Sequence, residues 1–428
     1  MNHRCFLKFT CTAGILALAG CDNNPFEHDG TDTVYRFAAE NLDTFFIYRD
    51  RMPERLYSFE TPEALYRSVN DQYTEFFSKE KALLLLSQLS TNRSGVGIVV
   101  DSVTNGYLIT EVLPGSPGER DGLQALDTIV QVGDVTVAGM TFDEFLPLLQ
   151  GEDRVDMVVR IKRGVDFIDI NVIPCQFRLP TISIDSINAS VVVITIKGFH
   201  APTSTPGGTA DEFSMALEKT AWAEYTVLDL RSNTGGLVLQ CIEVASQLVP
   251  RNTPIITVRY RGIDTTGLPG EFEETYKAFW PGSVVDRKLY VLVDSLTASA
   301  SEILLSCLMQ REGVTVIGDT TFGKWCAQIL LDDGNDSVIA KITYMTTYPV
   351  GENTGSYKKV GIVPDVLSGT ADALDVALQM IGETLPAKRR IGGPAGGYRR
   401  GKCDVSAYSE TPTALFTRAD MLWLNRLQ

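Results

Sequence analysis

After residue 32, the pattern of hydrophobic and polar positions divides the chain into three parts. Between residues 33 and 93, apolar positions recur at helical spacing, as in YRFAAENLDTFF and KEKALLLLSQL, which predicts an N-terminal helical domain. Residues 94–178 hold short β-type runs, such as GVGIVV and DMVVRIKR, separated by turns, which predicts one small β-rich domain. From residue 179 to 385, apolar strands alternate with longer helical patterns, which predicts an α/β domain with a mostly parallel sheet. The expected fold class is therefore multidomain α+β.

The first twenty residues have the pattern of a targeting segment. Arg4 and Lys8 precede an apolar stretch from residue 9 to 20, which is shorter than the ~20 residues that a membrane helix needs. The stretch ends in LAGC, which resembles a bacterial lipobox, where a cysteine is lipidated and becomes the new N-terminus. We therefore expect residues 1–20 to be a signal peptide and Cys21 to carry a lipid that anchors the chain to a bacterial membrane, in the cell envelope. The alternative is an ordinary secretory signal followed by a cysteine by chance.

Two further segments have the composition of linkers. Residues 21–32 are polar, which predicts a tether between the anchor and the folded part of the chain. Residues 386–402 contain six basic residues and five glycines, which predicts a flexible linker at the start of a C-terminal tail, residues 386–428.

Composition excludes several classes of function. The chain has 428 residues, 44% of them hydrophobic and 21% charged, as expected for a folded protein. A formal net charge of -15 argues against a nucleic-acid partner, because phosphate binding depends on Lys and Arg. The eight cysteines include no CxxC pair, so a thioredoxin-like redox motif or a zinc ribbon is not expected. No metal or cofactor is implied, and the sequence does not indicate an oligomeric state.

The β-rich part carries the ordered signals of a peptide-binding domain. Gly95, Val96, Gly97 and Ile98, followed by PGSPGERDGL and QVGDVTVAG, resemble a PDZ domain of the bacterial protease type across about residues 94–175. In such a domain, loop amides grip a terminal carboxylate while the peptide adds as a strand to the sheet edge. The resemblance implies that the amides of Val96, Gly97 and Ile98 bind a substrate C-terminus.

Two positions depart from the PDZ pattern. Pro147 lies within the helix that is expected to flank the groove, and Ala125-Leu126 stands where a Pro-Gly turn is usual. Both departures bear on how tightly the groove binds a peptide.

The segment TASASE, residues 297–302, follows the apolar run KLYVLVD and contains three hydroxyl side chains. Ser299 and Glu302 have the S-x-x-E spacing of a capping box, so Ser299 can be explained as the cap of a helix over residues 300–310. The same position suits a nucleophile, because a serine between a buried strand and a helix N-terminus lies close to amides that favour an anion. The local sequence leaves both hypotheses open.

A serine nucleophile needs a base, and the mature chain offers few histidines. His28 lies in the tether, and His200, in the loop of IKGFHAP, is an alternative base. Lys324 in TTFGKWCAQ follows the strand TVIGD, between Phe322 and Trp325, whose rings are expected to desolvate the ammonium group. The pKa of a lysine must fall by roughly three units from ~10.4 before it acts as a base at neutral pH, and desolvation acts in that direction.

A glycine pair supplies candidate oxyanion donors. In DLRSNTGGL, residues 229–237, a predicted strand runs into the pair at the start of the next helix. Free amides there can bind an oxyanion, which is worth roughly 3 to 4 kcal/mol per donor in acyl transfer. Gly236 and Ala300 would supply two such donors, although a glycine pair also serves as a simple tight turn.

These segments together closely resemble the C-terminal processing, or tail-specific, serine proteases across about residues 60–384. The resemblance rests on TASASE, a lysine 25 residues after the serine in FGKxxxQ, DLRSNTGG, the PDZ domain ahead of them, and VGIVPD. It implies that Ser299 is the nucleophile, that Lys324 is the general base, and that Gln328 helps to hold the lysine. It also implies a crotonase-like α/β protease domain over residues 179–385.

The stretch NDQYTEFFSKE, residues 70–80, resembles the family's helical segment ahead of the PDZ domain. Asp71 and Tyr73 match the family pattern, and Gln72 replaces the usual proline.

The expected function is hydrolysis of peptide bonds in exported proteins that have free, flexible C-termini. One alternative is a peptide-binding envelope lipoprotein whose protease domain is inactive or gated. A second alternative is a small-ester hydrolase that uses the same serine and lysine.

Overall fold

The structure is a computed structural model that describes residues 32–78, 80–81, 91–150, 155–280, 282, 287–333, 338–349, 360–384 and 415–416. The expected signal peptide, the lipidation site Cys21, nearly all of the tether and the linker lie outside these residues. The helices are α1 (Thr33–Phe45), α2 (Pro62–Ser68), α3 (Pro117–Asp121), α4 (Phe142–Gln150), α5 (Thr209–Lys219), α6 (Val238–Leu248), α7 (Ala300–Leu308) and α8 (Ala373–Thr384). The strands are β1 (Glu75–Ser78), β2 (Asn92–Gly95), β3 (Ile98–Val103), β4 (Gly106–Val112), β5 (Thr128–Val132), β6 (Val135–Thr136), β7 (Met157–Arg163), β8 (Asp166–Val172), β9 (Cys175–Arg178), β10 (Ile182–Ser186), β11 (Val191–Ile196), β12 (Tyr225–Asp229), β13 (Pro254–Ile263), β14 (Pro269–Lys277), β15 (Lys288–Val293), β16 (Val314–Gly318), β17 (Cys326–Asp332), β18 (Val338–Tyr348), β19 (Val366–Leu367) and β20 (Leu415–Phe416).

The α/β part, residues 179–385, is built on a mostly parallel sheet with the strand order β10-β11-β12-β15-β16-β19. Only β10 runs antiparallel to its neighbour, and the other four pairs are parallel. Strand β11, VVVITI, is buried along its whole length because helices cover both faces of the sheet. Its alternate residues Val192 and Ile194 pack with α5, α6 and α7, whereas Val191 and Val193 pack with α8. The predicted mostly parallel sheet is confirmed.

A second, largely antiparallel sheet has the order β14-β13-β18-β17-β20, with β1 also paired to β18. The alternation of strands and helices in the sequence does not predict this sheet. Strand β1 pairs with β18 from Glu75↔Lys341 to Ser78↔Val338, so the N-terminal part of the chain is built into it.

The N-terminal helical segment is present, and it shares the hydrophobic core of the α/β part. In α1 the buried residues Tyr35, Ala38, Ala39, Leu42 and Phe45 lie on one helical face and join the same cluster as β11 and α6. Asp32 caps this helix by accepting hydrogen bonds from the N–H groups of the second and third helical residues.

The β-rich domain has its own sheet, β3-β4-β5-β7-β8, with β6 on β5, and its own hydrophobic cluster. Strands β2 and β9 pair antiparallel at the point where the chain enters and leaves this domain. Strand β3 lies at an edge of the sheet. Within the ranges given above, no helix has the length and hydrophobicity needed to span a bilayer.

Candidate active site

Ser299 lies on a strained turn between β15 and α7. Its backbone has φ of 61° and ψ of -117°, and a residue with a side chain rarely adopts such a positive φ. Its side chain is buried, and its Oγ has no hydrogen-bond partner among the described residues. The reciprocal half of the capping box is present, since Glu302 Oε2 accepts from the Ser299 N–H at 2.8 Å. The Ser299 hydroxyl makes no hydrogen bond to the first turn of α7.

Glu302 joins the two loops that carry the candidate serine and lysine. Its Oε2 accepts from the backbone N–H of Ser299 and of Lys324, each at 2.8 Å, so these two nitrogens lie no more than twice that distance apart. Its Oε1 accepts from Thr321 Oγ1 and from the Gly323 N–H, each at 2.6 Å. Burial raises the pKa of Glu302, and the four donors oppose that shift. The S-x-x-E spacing was the only sequence signal for this residue, and it predicts only a cap.

Lys324 is 1% exposed and follows β16, in a loop at the carboxyl end of that strand. Its Nζ donates to Gln328 Oε1 at 2.9 Å and lies 4.7 Å from the centre of the Tyr73 ring. Burial lowers the pKa of Lys324 from 10.5 to about 7.

The aromatic neighbour of the ammonium group differs from the expected one. The ring that lies against it is Tyr73, whose own pKa is raised by burial to about 12. Phe322 is 42% exposed and contributes little desolvation, and Trp325 is buried with its indole N–H bonded to the Val360 carbonyl. Desolvation of the lysine therefore comes partly from the segment that precedes β1.

The glycine pair lies directly against Ser299. A Cβ on Gly235 would be 2.9 Å from Ser299 Cβ and 3.1 Å from the Ala300 nitrogen. Gly236 has φ of +139°, and a Cβ on it would be 2.2 Å from the Phe199 carbonyl oxygen, so only glycine fits. In the part of the chain that the structure describes, neither the Gly236 nor the Ala300 amide donates to a protein acceptor. The predicted donors Gly236 and Ala300 are thus the residues that follow Gly235 and Ser299, which lie against each other, and the contribution of Gly235 was not predicted.

His200, the alternative base, lies between β11 and α5. Its backbone N–H donates to Thr209 Oγ1 at 2.9 Å, and its imidazole packs so close to Gly198 that a Cβ there would lie 2.6 Å from Nε2. Glu302 links the loop of Ser299 to the loop of Lys324, through the backbone N–H groups of these two residues, and not to His200.

The PDZ loop is tightly packed and opens onto the edge strand. A Cβ on Gly97 would lie 2.2 Å from Ser116 Cβ, so the loop needs glycine there. The Leu113 N–H donates to the Gly97 carbonyl at 2.9 Å, which makes Ile98 and Val112 a non-hydrogen-bonded pair. The Ile98 N–H consequently points away from β4, towards the open edge of the sheet.

The two departures from the PDZ pattern have local structural outcomes. Helix α4 runs without a break from Phe142 to Gln150 with Pro147 inside it. Leu126 adopts φ of 74°, a left-handed conformation that glycine would adopt without strain, and its side chain is 77% exposed.

The described side chains do not meet the requirements of a metal site. Among the residues that the structure describes, no group of three or more His, Cys, Asp or Glu side chains could hold a metal ion. Cys241 and Cys307 are buried in α6 and α7, and burial raises the pKa of both thiols, for Cys307 to about 12. These two thiols are therefore poor nucleophiles.

Comparisons with known proteins agree with this architecture. Residues 190–368 match the family model described as peptidase family S41, and residues 108–163 match that of the PDZ domain. The carboxy-terminal processing protease CtpA of Bacillus subtilis (strain 168) is 28% identical over 313 residues, 72% of this chain and 63% of that protein. A probable CtpA-like serine protease of Staphylococcus aureus (strain N315) is 24% identical over 308 residues, 72% of this chain and 59% of the relative. The chain thus spans about three-fifths of the length of these curated relatives.

One solved structure shows the same fold. A putative S41 protease from Bacteroides fragilis is 20% identical, with a TM-score of 0.52, over 82% of this chain and 98% of that one. The resemblance to PDZ-containing C-terminal processing serine proteases is confirmed: residues 190–368 match peptidase family S41 and, ahead of them, residues 108–163 match the PDZ domain.

Proposed function

We propose that this chain is a serine endopeptidase that cleaves exported proteins through a Ser-Lys dyad and recognises their C-termini with its PDZ domain. The observation that carries the proposal is the pairing of two loops through Glu302. One loop presents an unbonded Ser299 hydroxyl, and the other presents a buried lysine whose pKa is lowered to about 7.

The chemistry follows from these positions. Ser299 Oγ attacks the scissile carbonyl while Lys324 Nζ, in its neutral form, takes the hydroxyl proton. The N–H groups of Gly236 and Ala300 stabilise the oxyanion of the tetrahedral intermediate. Lys324 then returns the proton to the leaving amine, and in the second half it activates the water that hydrolyses the acyl-enzyme.

The PDZ domain would deliver the substrate. Among the described residues, strand β3 lies at the edge of its sheet, where a peptide strand would be added, and the amides of the Gly95–Ile98 loop would bind the terminal carboxylate. Val99 in β3 and Phe142 and Leu146 in α4 are exposed apolar side chains that a peptide can contact.

The location is part of the same proposal. Lipidation of Cys21, in the LAGC segment, would hold the protease at a bacterial membrane in the cell envelope. Labelling cells with a radioactive fatty acid tests this: the native chain is expected to take up label and the Cys21→Ser variant is not. Unlabelled native chain would mean an ordinary secretory signal.

The decisive test of the enzyme is cleavage of an unfolded protein with a free C-terminal tail by residues 22–428, beside Ser299→Ala and Lys324→Ala. Each variant should lose at least roughly a hundredfold in kcat while staying folded, the size expected for loss of a general base. Because only the neutral amine accepts a proton, kcat/KM should rise with pH as the pH passes through the Lys324 pKa of about 7. Full activity in Lys324→Ala would reject the dyad and make His200 the next base to test. Cleavage of a chromogenic ester but of no tailed protein would point to the ester hydrolase.

A second candidate, a gated protease, is favoured by the burial of the dyad. Ser299 is 2% exposed and Lys324 is 1% exposed, so a substrate carbonyl reaches Oγ only after a movement of the surrounding loops. If PDZ occupancy drives that movement, a short peptide with a free C-terminal carboxylate should increase the cleavage rate. The same peptide with an amidated C-terminus is the control and should have no effect.

A further inference from the structure

A chain of hydrogen bonds leads from the candidate base to the segment that precedes β1. Lys324 Nζ donates to Gln328 Oε1 at 2.9 Å, and Gln328 Nε2 donates to Thr343 Oγ1 at 3.1 Å. Thr343 Oγ1 in turn donates to Asp71 Oδ2 at 2.6 Å, a contact between residues 272 positions apart in the sequence. We propose that Asp71 is a positioning residue of the protease site: through the Thr343 hydroxyl, its carboxylate fixes which end of the Gln328 amide faces Lys324.

The direction of each bond follows from the acceptor at the end of the chain. An ionised carboxylate only accepts, so the Thr343 hydroxyl has to give its single proton to Asp71. The oxygen of Thr343 is then available only as an acceptor towards Gln328, and the group that it faces must be the amide NH2. The carbonyl oxygen of Gln328 is left facing Lys324.

Thr74 reinforces this arrangement from the same segment. Its hydroxyl donates to Asp71 Oδ2 at 2.7 Å and accepts from the backbone N–H of Thr343 at 3.0 Å. Asp71 Oδ2 therefore receives two hydroxyl protons, and both threonines are oriented by one carboxylate. Water cannot readily replace a member of this series of hydrogen bonds, because Thr343 and Gln328 are 0% exposed.

The orientation of the amide decides what the lysine can do. A neutral amine has two N–H bonds and one lone pair, and the lone pair is what accepts the serine proton. When Gln328 Oε1 accepts one N–H, the lone pair points away from Gln328. With the amide reversed, its NH2 would donate to the lone pair and block it, and it would also disfavour the ammonium form. The kinetic part of this inference rests on the proposed Ser-Lys function; the orientation of the amide does not.

Several charged and titratable groups surround Lys324 and must be kept apart in a test. Asp71 and Tyr73 face it from the segment before β1, Glu302 from α7, Cys326 from β17 and Lys341 from β18. Of these, the carboxylates of Asp71 and Glu302 favour the ammonium form, whereas the Lys341 charge disfavours it. Removing Asp71 alone thus changes both a charge and the amide orientation, so a variant that keeps the charge is required.

The test compares Asp71→Asn with Thr343→Val, a nearly isosteric change that breaks the chain and leaves the carboxylate in place. Asp50→Asn, an exposed position of the same N-terminal segment, is the matched charge control. Lysine side chains carrying 13C at Cε are titrated by NMR, and the Lys324 signal is identified by its absence in Lys324→Met. We expect the Lys324 pKa to fall in both Asp71→Asn and Thr343→Val, and to stay at its native value in Asp50→Asn.

Kinetics give the second measurement on the same variants. A displacement of about 1 Å in a reacting group can lower a rate by up to about a hundredfold. We therefore expect kcat to fall roughly ten- to a hundredfold in both variants, with KM little changed. The double variant should lose no more than either single one, because both break the same chain. A native Lys324 titration in Thr343→Val, or a kcat within about twofold of native in both variants, overturns the proposal. If the native chain cleaves nothing, the proposed function fails, and the NMR comparison still decides the role of Asp71.

Discussion

Replacing Lys324 by methionine should remove activity and yet stabilise the chain at neutral pH. Burial lowers the pKa of Lys324 by about 3.5 units, from 10.5 to about 7, and one unit corresponds to about 1.36 kcal/mol. At pH values below about 7 the native fold therefore holds a buried ammonium at a cost of about 5 kcal/mol relative to the unfolded chain. Methionine has a similar length and no charge, so it removes this cost. It also leaves Gln328 Oε1 without its donor, which costs about 1 to 3 kcal/mol. The expected net gain is about 2 to 4 kcal/mol.

The pH dependence gives the sign of the effect. Between pH 7 and 10.5 the unfolded lysine is protonated and the native one is not, so native stability rises with pH across this window. At pH 9.5 the cost of keeping this lysine buried has fallen to about one pKa unit, roughly 1.4 kcal/mol. The loss of about 1 to 3 kcal/mol at Gln328 offsets the removal of that cost, so the methionine variant should be no more stable than the native chain. The stabilisation is thus expected at pH 6.5 and not at pH 9.5.

The assay is denaturant unfolding followed by tryptophan fluorescence at the two pH values. Trp325 is 6% exposed and adjacent in sequence to the lysine, so its emission reports on this part of the fold. Lys197→Met, at an exposed position after β11, is the matched control and should not shift the midpoint in a pH-dependent way. A Lys324→Met variant that is less stable than native at pH 6.5, or equally stabilised at both pH values, would refute the argument that burial lowers the pKa of Lys324.

Three further substitutions test other parts of the structure. Glu302→Gln should lower the free energy of unfolding by about 2 to 6 kcal/mol, because its NH2 cannot accept from two of the four buried donors, and kcat should fall with it; denaturant unfolding and steady-state kinetics measure both. Gly236→Ala should reduce kcat at least roughly a hundredfold, as expected when an oxyanion donor is displaced, whereas Gly382→Ala, in open space on α8, should leave kcat unchanged. Leu126→Gly should raise the free energy of unfolding of the PDZ domain by up to about 1 kcal/mol, since strain at positive φ costs about 1 to 2 kcal/mol and glycine gives back about half of that in chain entropy; thermal unfolding measures it.

A specific result would contradict each of these three predictions. Native stability in Glu302→Gln would mean that the four short contacts do not hold the two loops together. Equal loss of activity in both glycine variants would show that the effect is not specific to the site beside Phe199. A destabilised Leu126→Gly would mean that the exposed leucine makes a contact that outweighs its backbone strain.

The parallel sheet and the loops with the candidate dyad could be predicted because their signals are local. Strands β11, β12 and β15 are continuous apolar runs, and each is followed by a loop, so the segments DLRSNTGG and TASASE were placed correctly at strand ends. Ser299 and Lys324 could be singled out by their positions, whereas the bonds that fix them could not. Glu302 accepts from four donors, and all four belong to the loop that carries Lys324 or to Ser299 itself.

The second sheet escaped prediction for a different reason. Strand β18, VIAKITYMTTY, carries Lys341 and Thr343 at buried positions and pairs with β1 on one side and β17 on the other. Its alternation of apolar and polar residues reflects partners almost 270 residues earlier in the chain, such as Thr74, which bonds to the Thr343 backbone. Tyr73 was missed as the ring against the lysine for the same reason, since no short-range pattern marks a contact across that distance.

The paired strands β2 and β9 make the PDZ domain a replaceable insert. Asn92 pairs with Arg178 and Gly95 with Cys175, so the chain leaves the protease part and returns to it at adjacent points. The residues between Gly95 and Cys175 could then be exchanged for a two-residue hairpin turn, or for the PDZ domain of another protein, without moving the ends that the rest of the chain uses. With the proposed function, the part that selects a chain end would be separate from the part that cuts, and evolution or an engineer could change the target in a single segment.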